Sequence, residues 1–241
     1  MRVLAIDTSN LVLSVAVAED TRVLAETTTN RQKNHSVRLM DCVSELLDAT
    51  DTAPEQLDAV GVAIGPGSYT GVRIGVASAK SIAWALNLPV IGVSSLQAVA
   101  MNALGYPGWI VPLFDARRGQ VYTGAYRSKG MACVELNGSE QIVLLPDWLA
   151  RLREMAAGEP ILFLGEDVRM HREQIVQSLG DQAQFAPPAF LHPRAAHIAW
   201  IALHRLSEAG SAHELVPEYL QLAEAEAKWL AKTRQEDSAK G

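Results

Sequence analysis

The feature that most constrains the fold is an order of predicted elements that occurs twice along the 241-residue chain. Residues 3–7 (VLAID) and residues 108–115 (GWIVPLFD) both have the pattern of a buried strand that ends at an aspartate, Asp7 and Asp115. Each is followed by two more strand-like segments, a helix, a strand and a further helix, because short apolar runs alternate there with stretches of helical periodicity. The repetition predicts an α/β fold of two βββαβα lobes with a cleft between them.

Helix signals in the first half are clear. Asn34 or Ser36 can cap a helix that runs to Asp48, since a side-chain oxygen at this position satisfies free amide groups of the first turn. Two further helices are predicted over residues 69–86 and 95–104. The predicted strands of this half cover residues 3–7, 11–18, 22–28, 59–64 and 89–93.

The second half repeats this order more loosely. Its third strand is predicted in two pieces, residues 131–136 and 140–145, which are separated at Asn137-Gly138. Pro187-Pro188 indicates a loop. The other predicted elements of this half are strands over residues 108–115, 119–127 and 160–164 and helices over residues 147–156, 169–179 and 193–209.

The length of the chain exceeds that of one average domain. We therefore expect an N-terminal lobe of residues 1–105, a C-terminal lobe of residues 106–222 and a flexible tail of residues 223–241. The tail is rich in Ala, Glu and Lys, which is typical of an exposed helix that frays at a chain end. The helix predicted over residues 193–209 can pack back across the two lobes.

Composition excludes several classes of protein. With 49% hydrophobic and 20% charged residues, and no apolar run near the ~20 residues of a membrane helix, the chain is typical of a globular cytoplasmic protein. Its net charge of −6 argues against nucleic-acid binding by this chain alone, because Lys and Arg dominate contacts with phosphate. The two cysteines, Cys42 and Cys133, have neither metal-ligand spacing nor a disulfide framework.

The glycine-rich stretch GPGSYTGVRIG, residues 65–75, matches two catalytic motifs poorly. A phosphate loop needs Lys after its last glycine, but Val72 follows Gly71. A nucleophile elbow needs glycines two residues either side of its serine, and Ser68 has none at those positions. Ser68 is therefore predicted to cap the following helix. Anion binding at this helix N-terminus stays open, because helix dipoles favour negative charge there.

The helix predicted over residues 69–86 is apolar on nearly every side. Arg73 and Lys80 are the only charged residues between Ala59 and Phe114. Such a helix must be covered on nearly every side, either by the helix at residues 35–48 of its own lobe or by another protein chain. One stripe of small residues would let another backbone approach closely. This stripe consists of Gly71, Gly75, Ala79 and Ala83.

Candidate metal and catalytic residues are few. None of the six histidines forms an H-x-x-x-H pair. Asp7 and Asp115 can bind a magnesium–nucleotide between the lobes, as carboxylates at strand ends do. Alternatively, Asp7 with Thr8 and Ser9 satisfies the backbone groups of a turn, which is the commoner role and the one that we favour.

Several motifs together resemble the TsaB (YeaZ) family, bacterial proteins of the tRNA threonylcarbamoyladenosine pathway. The resemblance extends in order over nearly the whole chain, and its most specific part is GPGSYTGVRIG. The other matching motifs are LAIDTS at the N-terminus, His35-Ser36, Lys80, PVIGVSSL at 89–96, LFDARRGQVY at 113–122, PEYL at 217–220 and AKW at 227–229. Gln221 departs from the pattern, since a basic residue is expected there.

The resemblance implies the actin-like (ASKHA, RNase H-like) fold of sugar kinases and heat-shock ATPases. It also implies a non-catalytic scaffold or activator that pairs with TsaD, the subunit with the metal-binding histidines, and with the ATPase TsaE. That complex transfers threonylcarbamoyl from threonylcarbamoyl-AMP to N6 of the adenosine 3′ of the anticodon (t6A), in tRNAs reading codons that begin with A. The family implies no cofactor or metal of its own, Mg-ATP only at a subunit interface, and tRNA contact only through the complex.

The resemblance further implies that the helices matching residues 35–48 and 69–86 form a dimer interface, with TsaD or, when the protein is alone, with a second copy. A vestigial nucleotide site would comprise Asp7, Thr8, Ser9 and Asp115. The predicted interface residues are His35, Val37, Met40, Val43, Leu47, Tyr69, Val72, Arg73, Gly75, Val76, Ala79 and Lys80.

An enzyme remains the alternative to a partner protein. A nucleotide-dependent member of the actin-like superfamily, such as a small-molecule kinase, would use Asp7 and Asp115 around Mg-ATP. Against this alternative, the segment from Asp7 to Asn10 contains no glycine for a phosphate-binding hairpin.

Overall fold

The structure is a computed structural model that describes residues 1–30 and 35–220. The predicted tail (223–241), Gln221 and the candidate cap Asn34 lie outside the described residues. The described chain forms two five-stranded sheets with helices against their faces. Within the described ranges, no helix has both the length and the apolar character that crossing a membrane requires.

The elements follow the duplicated order. Those of the N-terminal lobe are β1 (Arg2–Asp7), β2 (Leu13–Glu19), β3 (Arg22–Thr29), α1 (His35–Ala49), β4 (Ala59–Gly65), α2 (Tyr69–Leu86), β5 (Val90–Ser94) and α3 (Ser95–Ala100). Those of the C-terminal lobe are β6 (Trp109–Asp115), β7 (Gln120–Lys129), β8 (Cys133–Leu144), α4 (Leu145–Ala156), β9 (Ile161–Leu164), α5 (Val168–Leu179), β10 (Ala183–Phe185) and α6 (Ala195–His204).

The two sheets have the same topology. Their strand orders are β3-β2-β1-β4-β5 and β8-β7-β6-β9-β10. In each sheet the central strand, β1 or β6, pairs antiparallel with the next strand of the chain and parallel with the fourth strand of its lobe. This correspondence confirms the prediction of an α/β fold with duplicated βββαβα units.

Three details of the second half differ from the predictions. β8 is continuous from Cys133 to Leu144, because the disturbance near Asn137 is absorbed by a register shift between Thr123 and Ala125 of β7. β10 was not predicted, since three residues are too few to show a periodic pattern. The helix predicted over 193–209 is α6, which ends at His204 and is followed by a short 3-10 turn.

α1 and α2 cover one face of the first sheet. α1 buries Leu39, Val43 and Leu46 at helical spacing against this sheet. α2 begins after Ser68, whose hydroxyl accepts a hydrogen bond from Gly71 N at 3.3 Å, as predicted. It ends at Leu86 and is followed by Asn87, whose left-handed backbone is common directly after a helix.

α3 and α6 lie between the two sheets. α6 follows the second sheet in the chain but packs on β1 and β2 of the first, whereas α3 follows the first sheet and packs on β6 of the second. The N-terminus of α6 is held by Glu26 of β3, whose carboxylate accepts from Ala196 N at 3.0 Å. One cluster of buried apolar side chains therefore extends through both lobes.

Residues 210–220, the C-terminal strap, run beside α2 in the opposite direction. At its start Gly210 exchanges two backbone hydrogen bonds with Val90 of β5, both 3.0 Å. Further along, Lys80 Nζ donates to the carbonyl of Leu215 at 2.8 Å. Near its end Glu218 N donates to Ile64 O at 2.7 Å. The strap thus covers the flank of α2 opposite α1.

Candidate functional site

The turn after β1, residues Asp7 to Ser9, is fully buried. One oxygen of Asp7, Oδ1, accepts hydrogen bonds from Ser9 N at 2.8 Å and from Ser9 Oγ at 2.7 Å. Thr8 Oγ1 donates to Gly71 O at 2.7 Å. Such bonds are expected if Asp7, Thr8 and Ser9 satisfy the backbone groups of a turn, which is the interpretation favoured from the sequence.

The glycine-rich stretch lies directly on this turn. Ser68 N donates to Ser9 O at 2.7 Å. A Cβ atom would lie 2.3 Å from Ser9 O if added to Gly67, and 2.1 Å from Thr8 O if added to Gly71. The glycines are therefore needed so that the loop and the first turn of α2 can contact the β1 turn. The space beside this turn is filled by the protein's own backbone.

Burial raises the pKa of Asp7 to about 6, although the hydrogen bonds from Ser9 act in the opposite direction. Its second oxygen, Oδ2, is buried and has no hydrogen-bond partner among the described residues. Leaving a charged carboxylate there is unfavourable, so Asp7 favours its protonated form near pH 5.

Asp115, at the equivalent end of β6, has a different environment. It is partly exposed, and its Oδ1 lies 3.5 Å from His171 Nε2. Its backbone N donates to Asp167 Oδ2 at 2.9 Å, and burial raises the pKa of Asp167. In the part of the chain that the structure describes, no three His, Cys, Asp or Glu residues are grouped so that they could hold a metal ion.

The predicted interface residues fall into three groups by exposure. Val37, Met40, Tyr69 and Arg73 are exposed. His35, Leu47 and Lys80 are half-buried. Val43, Val72, Gly75, Val76 and Ala79 are buried within the lobe.

The buried group requires a correction. The stripe of small residues on α2 faces its own sheet: a Cβ atom on Gly75 would lie 2.5 Å from Thr8 Oγ1 and 3.6 Å from a methyl carbon of Val62. Ala79 is completely buried on the same side. Small residues at this spacing let α2 approach β1 and β4. Because all five residues of this group are buried, none of them offers an exposed side chain to a partner.

The opposite sides of the two helices are open. Val37 is 66% exposed and Met40 is 49% exposed on α1, and Trp84 is 71% exposed near the end of α2. Between Tyr69 and Trp84, Ala77 is exposed and Ile74 is half-buried. We call the surface formed by these six residues the α1–α2 outer face: Val37, Met40, Tyr69, Ile74, Ala77 and Trp84.

Two residues of this region were missed by the sequence analysis. Trp84 continues the helical stripe of Tyr69, Arg73 and Ala77, so its spacing was a usable signal. Tyr219 lies in the strap and contacts Arg73, which is 146 positions away in the chain. No local pattern relates those two residues.

Comparison with known proteins identifies the family of the chain. A family model described as "TsaD: tRNA N6-adenosine threonylcarbamoyltransferase" matches residues 22–229. The tRNA threonylcarbamoyladenosine biosynthesis protein TsaB of Bacillus subtilis (strain 168) is 47% identical over 230 residues, which are 95% of this chain and 98% of the relative. The chain belongs to the TsaB family. The TsaB protein of Escherichia coli (strain K12) is 37% identical over 129 residues, or 53% of this chain and 55% of that protein.

Solved structures agree with membership of the TsaB family. YeaZ from Pseudomonas aeruginosa has a TM-score of 0.76 and 28% identity, and the match covers 91% of this chain and 99% of that chain. An inorganic polyphosphate/ATP-glucomannokinase from Arthrobacter sp. strain KM has a TM-score of 0.51 at 12% identity, covering 86% of this chain and 98% of that chain. The second likeness concerns the fold alone, and it confirms the actin-like architecture.

Proposed function

We propose that this TsaB-family chain is a non-catalytic subunit that docks, through the α1–α2 outer face, on a TsaD-type threonylcarbamoyltransferase. In this role it supports the transfer of threonylcarbamoyl from threonylcarbamoyl-AMP to N6 of the adenosine 3′ of the anticodon. The ATPase TsaE joins the same assembly, and tRNA is contacted through the complex. When the partner is absent, the same face pairs two copies of the chain.

The observation that carries the proposal is the exposure of Val37, Met40 and Trp84 on adjoining helices. Exposed apolar side chains that group on one surface mark interaction sites in soluble proteins, and α1 packs against α2. The cores of protein interfaces are also depleted in charge and enriched in aromatic residues, Met and Arg. On α2 the exposed residues include a single charge, Arg73, between the aromatic residues Tyr69 and Trp84.

The environment of Asp7 supports a role without nucleotide chemistry at this position. Nucleotide chemistry of the kinase type would require a carboxylate that can reach a magnesium ion. Asp7 has no exposed surface, and one of its oxygens is engaged by Ser9. Gly67 and Gly71 bring backbone against the turn where a phosphate would have to enter.

The proposal is tested by calorimetric titration of the chain with a purified TsaD-type protein. Met40→Asp places a charge in the outer face, and we expect at least a hundredfold loss of affinity because the carboxylate loses its water on docking. Met170→Asp is the matched control, since Met170 is 58% exposed on α5 of the other lobe. Thermal unfolding of both variants checks that they are folded.

Equal affinity of the Met40→Asp variant and the original chain would contradict the proposed face.

An in vitro tRNA modification assay tests the role itself, with this chain, the TsaD-type protein and TsaE omitted in turn. We expect omission of the chain to abolish modification and Asp7→Asn to preserve it. Loss of modification in a folded, partner-binding Asp7→Asn variant would favour the nucleotide-dependent alternative.

A further inference from the structure

We infer that the C-terminal strap belongs to the docking surface and that Tyr219 is one of its anchors for the TsaD-type partner. This inference rests on the proposed function and makes it more specific, because it adds a segment outside α1 and α2. It also assigns Lys80 a positioning role in place of direct contact with the partner.

Three side chains form a cluster where the strap passes the first turns of α2. The rings of Tyr69 and Tyr219 are stacked, with centroids 5.3 Å apart and planes inclined by 29°. The Arg73 guanidinium carbon lies 4.2 Å from the centroid of the Tyr69 ring. Arg73 Nε donates to Tyr219 Oη at 2.8 Å. Each member of the cluster therefore contacts the other two.

The three side chains are held by their mutual contacts and yet open to solvent, since all three are exposed. Tyr and Arg are enriched among the residues that dominate binding energy in protein interfaces. Side chains already held by mutual contacts lose little conformational freedom on binding, so they bind with a smaller entropic cost. Tyr69 also belongs to the α1–α2 outer face, so the cluster is continuous with that surface.

Contacts along the strap determine where Tyr219 lies. Lys80 Nζ donates to His213 O at 3.3 Å and to Leu215 O at 2.8 Å. Leu215 packs with the buried side chains of the first lobe. Glu218 N donates to Ile64 O at 2.7 Å, immediately before Tyr219. Lys80 thus holds the strap and acts on the docking surface through Tyr219.

Charge favours a protein partner over RNA on this surface. Exposed aromatic rings beside an arginine can also stack nucleobases. However, the neighbouring helix α1 exposes Asp41, Glu45 and Asp48, and the chain carries a net charge of −6. Carboxylates repel phosphate, and RNA binding requires clustered Lys and Arg. The rings are therefore better suited to contact with a protein than with RNA.

The test is calorimetric titration of full-length variants with the TsaD-type protein. We expect Tyr219→Ala to lower affinity at least tenfold, since it removes the ring and frees Arg73 and Tyr69. Tyr219→Phe keeps the ring but loses the hydroxyl that accepts from Arg73, so its loss should be severalfold and smaller. Phe190→Ala is the matched control, because Phe190 is an exposed aromatic residue of the C-terminal lobe.

A double-mutant cycle tests the positioning role of Lys80. Lys80→Met keeps the aliphatic part of the side chain and removes the hydrogen bonds to the strap. We expect it to lower affinity severalfold in the original chain and to have no further effect when combined with Tyr219→Ala. Additive losses would show that Lys80 contacts the partner itself, and would overturn its assignment as a positioning residue.

The outcomes separate this inference from the proposed function. If Tyr219→Ala binds normally while Met40→Asp does not, the strap is not an anchor and the proposed function stands. If Tyr219→Ala lowers affinity while Met40→Asp does not, the strap is confirmed as an anchor and the α1 part of the face is wrong. Unchanged partner affinity with weaker tRNA binding by the complex would make the cluster an RNA contact and overturn the inference.

Discussion

The two lobes share one topology but present different helix surfaces to solvent. α2 and α5 occupy equivalent places after the fourth strand of each lobe. α5 exposes the charged residues Arg169, Arg172 and Glu173, whereas the only charged residue exposed on α2 is Arg73. The inner faces of both helices pack on a sheet, so burial constrains them similarly. The outer faces are free to differ, and the difference supports the proposal that the docking surface lies on the N-terminal lobe.

The two strand-end aspartates also differ between the lobes, in their exposure to solvent. Asp7 is sealed under the glycine-rich loop, with no exposed surface. Asp115 is partly exposed and has His171 and Asp167 as neighbours. The N-terminal lobe has therefore closed the strand end that the C-terminal lobe leaves accessible. This closure brings the loop and the first turn of α2 into direct contact with the β1 turn, through Gly67 and Gly71.

The largest expected effect separates the two sides of α2. Ala79 is completely buried and Ala77 is exposed, so the same substitution at each tests opposite faces of one helix. We expect Ala79→Lys to lower the free energy of unfolding by at least about 4 kcal/mol, because it buries an unpaired charge. Ala77→Lys should change it by less than about 0.5 kcal/mol and yet weaken partner binding about tenfold. Urea denaturation and calorimetry measure the two quantities.

A stable Ala79→Lys variant would mean that α2 does not rest on its sheet as described. A folded Ala77→Lys variant with full affinity would place the partner elsewhere. That substitution gives α2 an outer charge like those of α5, so its result bears directly on the contrast between the lobes.

The second prediction concerns the sealed aspartate. The pKa of Asp7 is raised from 3.8 to about 6, so the folded state holds this proton more tightly than the unfolded state does. The contribution of this group to the free energy of unfolding is fully present below about pH 4 and is lost as the pH rises to about 6. Over that range the loss is about 3 kcal/mol, at 1.36 kcal/mol for each unit of pKa.

Asp7→Asn cannot ionise, so its free energy of unfolding should lack this decline. Urea denaturation from pH 4 to pH 8 measures the difference between the two chains, with Asp41→Asn on the exposed side of α1 as the control. Parallel pH profiles of Asp7→Asn and the original chain would show that Asp7 is not the desolvated group that the structure indicates.

The smallest expected effect compares two equivalent glycines. Gly65 is the last residue of β4 and Gly165 directly follows β9, with φ values of +114° and +113°. A Cβ atom would lie 2.6 Å from Glu218 O at the first and 2.4 Å from Leu113 O at the second. We expect Gly→Ala at either position to lower the free energy of unfolding by about 2 kcal/mol, through backbone strain and steric overlap.

Only Gly65→Ala should also weaken partner binding, because it displaces the strap at Glu218 and with it Tyr219. Affinity measured for both variants, at a temperature where each is folded, distinguishes the two. Equal loss of affinity in the two variants would show that the effect is general destabilisation and has no relation to the strap.

Local patterns were sufficient to predict most of the elements, but not the three-residue strand β10 or the continuity of β8. The bounds of α2 and its cap at Ser68 follow from sequence, since capping and helical periodicity are encoded within a few residues. The side on which α2 packs does not follow from the sequence. Its glycine stripe is equally compatible with its own sheet and with a partner, and only the position of Thr8 and Val62 decides between them. The contact between Arg73 and Tyr219 likewise depends on how the complete chain folds.

α3 and α6 each pack on the sheet of the opposite half of the chain. Each helix supplies apolar cover to the sheet of the opposite half, so the two halves are interlocked. If the chain were divided between residues 105 and 106, both fragments would keep their strand order but each would expose a large hydrophobic face. We expect the fragments to be insoluble apart and to reassemble when co-expressed, which would make the protein one cooperative folding unit despite its duplicated plan.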